Sequence, residues 1–181
     1  PLRLVGSEMC IRDRYRSLKD DGNSLPDSYI EDIQEDATGN LWVRTGAGYA
    51  IYNSVSDIFD RNVEGWMWHI GISGNPSTVY IDSEKIFWIY VAGKGIYCYK
   101  PGQENAVMVA GTDTLLTEMN ITDMTECSEG ILLAFGNGVL ACLDREKLNV
   151  KWTFDGIASQ WGKNQSETFT LFVDSHERVW M

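Results

Sequence analysis

Short apolar runs recur along this chain, separated by polar turns. The runs YIEDIQE, STVYI, NITDMT and TFTLFV each precede an acidic position, and each acidic position opens a turn. A second apolar run follows six residues later, beginning near Trp42, Trp88, Leu132 and Trp180. Alternation over four to eight residues predicts strands and not helices. Three further runs, YAIYN, IYCYK and VLACLD, each follow a pair of glycines. The pattern predicts strand, acidic turn, strand, Gly-x-Gly turn, strand, and then a variable stretch with room for a fourth strand.

The acidic marks are Asp36, Asp82, Glu126 and Asp174, spaced 46, 44 and 48 residues apart. The third copy is degenerate, with Glu126 for Asp and Leu132 for Trp. Gly46 and Gly48, Gly93 and Gly95, and Gly136 and Gly138 keep nearly the same offset from their marks. A period in the forties with about four strands per unit is the pattern of a β-propeller. The expected fold is therefore all-β: a partial β-propeller of about 3–4 four-stranded antiparallel blades belonging to a longer propeller. Repeats are placed near residues 29–60, 76–104, 119–155 and 167–181.

Local chemistry explains the pattern. An Asp at a turn start accepts hydrogen bonds from backbone amides two residues on, with a bound cation as the alternative role for these carboxylates. Gly39 and Gly130 permit positive φ inside the turns. The Trp of the second strand is expected to pack between neighbouring blades. A buried ring of that size removes roughly 150–250 Å² from water, worth about 4–6 kcal/mol before entropy.

The stretch SLPDSYIEDIQEDATGNLWVRTGAGYAIYN resembles the two-component regulator propeller repeat. The matching positions are Ile30, Ile33, Asp36, Gly39, Leu41, Trp42, Thr45, Gly48 and Tyr52, and Arg44 stands where that repeat usually has Gly. The segment FTLFVDSHERVWM resembles the first half of another copy. This resemblance implies part of the periplasmic sensor region of a hybrid two-component histidine kinase. It implies an oligosaccharide ligand, further propeller blades, a downstream membrane-anchored kinase and a homodimer as partners. GVLACLDREKLNVKWTF is also similar to the repeats of quinoprotein-type propellers. An enzyme-associated propeller and a protein-interaction scaffold therefore stay open as alternatives.

Composition narrows the function classes. The formal net charge is −11, so the basic footprint that nucleic-acid binding requires is missing. Four cysteines include Cys10, Cys98, Cys127 and Cys142, without C-x-x-C spacing. They are expected to be small buried residues, neither a disulfide framework nor a zinc site. No nucleophile elbow, phosphate loop or zincin motif occurs. Glu31 and Asp32 are adjacent on a strand and face opposite sides, which disfavours an acid–base pair. His176 falls inside a repeat turn. The reading expects no catalytic residue, no metal and no cofactor.

One segment stands apart: EGWMWHIGISGN, residues 64–75. On an extended chain Trp66 and Trp68 face the same way, and with His69 they offer ring stacking and a polar contact to a sugar. Arg44 is a further candidate ligand contact. The plainer alternative is a fourth strand whose Trp rings plug between blades. Asn120-Ile121-Thr122 and Asn164-Gln165-Ser166 match the glycosylation pattern. Residues 1–14, PLRLVGSEMCIRDR, lack any strand or helix period and resemble an adaptor-like artefact, so the sensor propeller is placed at 15–181.

The sequence stops at Trp180-Met181, in mid-strand, so the propeller is expected to continue on both sides. An open arc exposes sheet faces and edges. Residues 15–181 alone are predicted to be poorly soluble. A monodisperse preparation with one cooperative melting transition, judged by light scattering and calorimetry, is the contrary result.

Overall fold

The computed structural model describes residues 14–115, 120–156 and 168–181. Residues 1–13 of the leader and the Asn164-Gln165-Ser166 motif lie outside the described residues. The chain divides into two compact units, Pro1–Val63 and Glu64–Met181.

The first unit holds β1 (Ile30–Glu35), β2 (Leu41–Thr45), β3 (Gly48–Asn53) and β4 (Ile58–Asp60). They pair in sequence order as one antiparallel meander. Leu25, Val43, Ala50 and Phe59 form its apolar core, with Leu41 and Tyr52 against them. The approach segment is tied down by Arg61. Its guanidinium donates to the carbonyls of Ser24, Leu25 and Asp21 and to the Ser24 hydroxyl, at 2.7–3.1 Å.

The second unit contains α1 (Val63–His69, whose first residue closes the first unit), followed by two complete meanders and a short one. β5 (Thr78–Ile81), β6 (Phe87–Val91), β7 (Gly95–Tyr99) and β8 (Val107–Met108) pair in that order, with α2 (Thr112–Leu115) following. β9 (Ile121–Cys127), β10 (Gly130–Phe135), β11 (Leu140–Asp144) and β12 (Asn149–Phe154) form the next sheet. β13 (Phe172–Val173) and β14 (Val179–Trp180) form a two-stranded sheet. Each period of the sequence thus folds as a successive antiparallel sheet, and the three complete ones are four-stranded meanders, the blade of a propeller. One apolar cluster joins the two complete sheets of this unit. It contains Trp88, Tyr90, Ile96 and Cys98 from β6 and β7, and Ile131, Leu133, Phe135, Ala141 and Leu143 from β10 and β11. Every residue of β6 and of β10 is buried, because these inner strands are covered on both faces.

The acidic turns share one geometry. In three copies a single carboxylate oxygen, Oδ1, accepts the amides two and four residues on. For Asp36 these are Thr38 at 2.8 Å and Asn40 at 3.0 Å. For Asp82 they are Glu84 at 3.0 Å and Ile86 at 2.9 Å. For Asp174 they are His176 at 2.8 Å and Arg178 at 3.0 Å. The other oxygen, Oδ2, accepts the indole Nε1–H of the Trp six residues on. Those distances are 3.3 Å to Trp42, 3.0 Å to Trp88 and 3.1 Å to Trp180. The donors account for these carboxylates as turn fixtures. The indole bond is a link the sequence pattern alone did not disclose.

The residue three after each Asp is left-handed: Gly39 at φ 82°, Lys85 at 63° and Glu177 at 59°. Only the first copy places glycine there. At the turn of the third copy the constraint is steric. A Cβ on Gly130 would lie 2.0 Å from the Leu143 carbonyl oxygen, so no side chain fits.

Two predictions follow from these turns. Lys85→Gly relieves a left-handed side chain and is expected to raise stability by about 0.5–1 kcal/mol, whereas Gly130→Ala is expected to lower it by about 3 kcal/mol or more. Urea unfolding of both variants measures this; equal midpoints would contradict it.

The second prediction concerns acid. Partial burial pushes the Asp36 carboxyl upward, but bonds from Thr38, Asn40 and Trp42 outweigh it and leave the group below its ordinary value. Burial likewise opposes, and the Arg178 amide and guanidinium, the Trp180 indole and the His176 amide overcome it, so Asp174 falls to about 2. Depressed carboxyls contribute their stability above the unfolded value of about 4 and lose it as pH falls through the folded value. The indole N–H resonances of Trp42 and Trp180 are therefore expected to hold steady down to about pH 4 and to shift only below it, Trp180 last. Midpoints at the ordinary carboxylate value would show that the turns confer no such protection.

Candidate functional site

The segment 64–75 is where the structure departs most from the sequence reading. Neither the extended pair nor a fourth strand forms there; Val63–His69 is the helix α1. The fourth strand of the first sheet is β4, which ends before it. The reasons are local. Asn62 stands at the position that favours a capping side chain, and Val63, Met67 and Ile70 recur at helical spacing and are all buried. The helix stops on a left-handed Gly71, φ 80°. The Gly71 amide donates to the Trp68 carbonyl at 3.1 Å and the Ile72 amide to the Met67 carbonyl at 2.9 Å. This is a Schellman stop, with Met67 and Ile72 supplying its apolar contact.

On a helix, residues two apart point to nearly opposite sides. Trp66 is half-buried and packs on Phe87, with ring centroids 5.2 Å apart, and edge-on to Tyr99 at 5.7 Å. Trp68 is 71% exposed and His69 is exposed beside it. The structure thus separates Trp66 from the other two. Arg44, near the end of β2, is half-buried, and its Nε lies 2.8 Å from Glu31 Oε2.

Near Arg44 the structure gathers residues that the sequence reading did not single out. Tyr29 is 69% exposed just before β1. Its amide donates to Asp27 Oδ1 at 3.1 Å, and its carbonyl accepts the Gly46 amide at 3.2 Å. The signal available in the sequence was the Asp-x-Tyr spacing ahead of the first strand, an Asx-turn pattern.

In the second unit a cavity of about 350 Å³ opens at the turn end of the β9–β12 sheet, lined by Glu126, Cys127, Ser128, Glu129, Arg145 and Glu146 among others. Two of its carboxylates, Glu126 and Glu129, are engaged. Glu126 accepts the Ser83 amide and hydroxyl, both at 2.8 Å, and pairs with Arg145. Burial opposes ionisation of Glu126, but Arg145 and Ser83 outweigh it and hold the carboxyl low. Glu129 accepts the Trp152 indole at 3.1 Å. Neither is poised to exchange a proton near neutral pH. Burial pushes the Cys98 thiol up to about 11 and the Cys142 thiol up to about 12, so both are poor nucleophiles. Among the described residues, no three His, Cys, Asp or Glu side chains gather as a metal site.

Comparison with known proteins bears on the repeat and the fold. Residues 24–47 match the two component regulator propeller family. No curated protein matches the chain. Among solved structures, the extracellular domain of the putative one component system BT4673 from B. thetaiotaomicron is similar, with a TM-score of 0.57 and 20% identity over 86% of this chain and 19% of that one. The extracellular domain of the putative hybrid two component system BT3049 from the same organism gives a TM-score of 0.57 and 14% identity, over 93% of this chain and 21% of that one. The chain spans about a fifth of the length of these structures. The family match falls on the turn where Asp36 accepts the Trp42 indole and on the strands either side of it. Residues 24–47 therefore carry one two component regulator propeller repeat.

Proposed function

We propose that this chain is part of the extracytoplasmic sensor propeller of a hybrid two-component histidine kinase, that it detects an oligosaccharide, and that it catalyses nothing itself. The observation that carries the reading is the repeat built on Asp36 and Trp42, taken with solved relatives described as extracellular domains of one- and two-component systems. The sensor lies on the periplasmic side of the inner membrane, and the kinase and further blades lie outside this chain. Signal passes as a shift between two arrangements of a propeller dimer, biased by whichever arrangement the ligand binds more tightly. Among the described residues no helix is long and apolar enough to cross a membrane.

Trp68 is the aromatic of the 64–75 segment that remains free to meet a ligand; Trp66 is committed to Phe87 and Tyr99. The two substitutions should therefore separate. Trp66→Ala is expected to cost about 2–3 kcal/mol of stability. Trp68→Ala is expected to leave stability within about 0.5 kcal/mol and to weaken oligosaccharide binding. Thermal melts of both variants, with binding read on a glycan microarray, test this. Undiminished binding by Trp68→Ala would remove Trp68 from the site, and the absence of any glycan signal from the unsubstituted protein would remove the oligosaccharide reading.

A further inference from the structure

The geometry points to a subsite for one uncharged pyranose ring at the β2–β3 end of the first sheet, with Tyr29 as stacking platform, Gly46 as floor, and Asp27 and Arg44 as hydroxyl contacts. The inference rests on the oligosaccharide reading above and narrows it to neutral sugars.

An exposed aromatic ring by itself is ordinary. Tyr29 differs because both of its backbone groups are held, the amide by Asp27 and the carbonyl by Gly46. A ring presented from a fixed backbone loses little freedom on binding. Beside it the surface is bare peptide. A Cβ at Gly46 would stand 3.1 Å from Asp27 Oδ2 and 3.8 Å from Tyr29 Cδ1, so the carboxylate and the ring flank a strip that any side chain would fill. Glycine at such a place allows close approach of a ligand to the backbone.

The polar groups around the strip have capacity left. Asp27 uses Oδ1 for the Tyr29 amide, and among the described residues nothing bonds its Oδ2. Arg44, two residues before Gly46, engages Glu31 through Nε; among the described residues nothing bonds its terminal nitrogens. The carboxylate accepts from sugar hydroxyls, the guanidinium donates to them, and the ring takes the apolar face of the sugar. The charge sets the class. Asp27 and Glu31 outnumber Arg44, and the whole chain carries −11. A uronic acid or sulfated residue would meet net repulsion, whereas a neutral pyranose would not.

The test is isothermal titration calorimetry of the complete sensor domain that contains this chain. The neutral probes are cellotetraose, xylotetraose and maltotetraose; the acidic ones are trigalacturonic acid and a heparin tetrasaccharide. At least one neutral probe is expected to bind, and the acidic probes at least about tenfold more weakly. Tyr29→Ala and Gly46→Val are each expected to weaken the neutral probe roughly tenfold or more, while Tyr29→Phe keeps it within about threefold. Near-UV circular dichroism, to which the buried Trp residues contribute, reports whether each variant stays folded. Tighter acidic than neutral binding overturns the charge argument. Neutral binding that survives both Tyr29→Ala and Gly46→Val in folded protein overturns the subsite and leaves the oligosaccharide reading standing. No heat with any probe overturns both.

Discussion

A carboxylate shared between a turn and an indole is the constraint on which three of the four repeats depend. Asp82 shows its full form. The residue is 2% exposed, so its carboxyl group has left water and every bond it lacks would be felt. Oδ1 closes the turn through two amides, and Oδ2 holds Trp88, which is wholly buried between two sheets. Asp reaches both targets because its carboxylate is one methylene from the backbone. Glu would overshoot the amides, and Phe in place of Trp88 would take the indole donor away from a buried oxygen. The same atom set fixes the local turn, aims the second strand and orients the largest ring of the inter-sheet core.

That coupling explains the degenerate copy. Where the third repeat loses Asp, it also loses Trp, and Leu132 occupies the Trp place. Removing one partner would strand a polar group; removing both leaves an apolar contact of ordinary kind. The turn then shortens, with Cys127 pairing directly with Gly130. Glu126 is released from turn duty, pairs with Arg145 of its own repeat and reaches across to Ser83 of the preceding one, while the Glu126 amide donates to the Tyr80 hydroxyl at 3.0 Å. Glu177 repeats the move one sheet later by accepting the Ser128 amide at 3.0 Å. Within the second unit, carboxylates from each turn therefore stitch to the turn before, over an apolar seam.

The period was legible in the sequence because its causes are local: alternation, Asx chemistry and glycine placement all act within ten residues. The Asp–Trp bond could have been inferred from the constant spacing of six, but spacing alone does not say which side chains meet. The left-handed sites at Lys85 and Glu177 were hidden because no glycine marks them; the turn imposes the conformation on whatever residue stands there. The helix α1 was missed for a different reason. Two Trp residues at spacing two suggested an extended chain, while the quieter signals of Asn62, the Val63–Met67–Ile70 spacing and the Gly71 stop pointed to a helix. Glu126 was read as a worn turn residue, because a contact 43 residues away leaves no trace in a local pattern. Tyr29 and Asp27 escaped notice because exposure cannot be read from alternation.

The two ends of the first sheet carry different burdens, and this bears on where function can vary. At one end the Asp36 turn is bound to Trp42, a ring only 2% exposed, so substitution there propagates into buried structure. At the other end the β2–β3 connection returns through Gly46 and Gly48, and its neighbours Tyr29, Asp27 and Arg44 are exposed or half-buried. Arg44 stands where the repeat pattern has Gly; its ion pair is with Glu31, where the β1–β2 register shifts between Ile30 and Asp32. The irregularity stays local, because pairing from Asp32 to Glu35 and from Thr45 to Gly48 is kept. The first sheet therefore concentrates its buried polar chemistry at the acidic turn and leaves its opposite end the more exposed of the two.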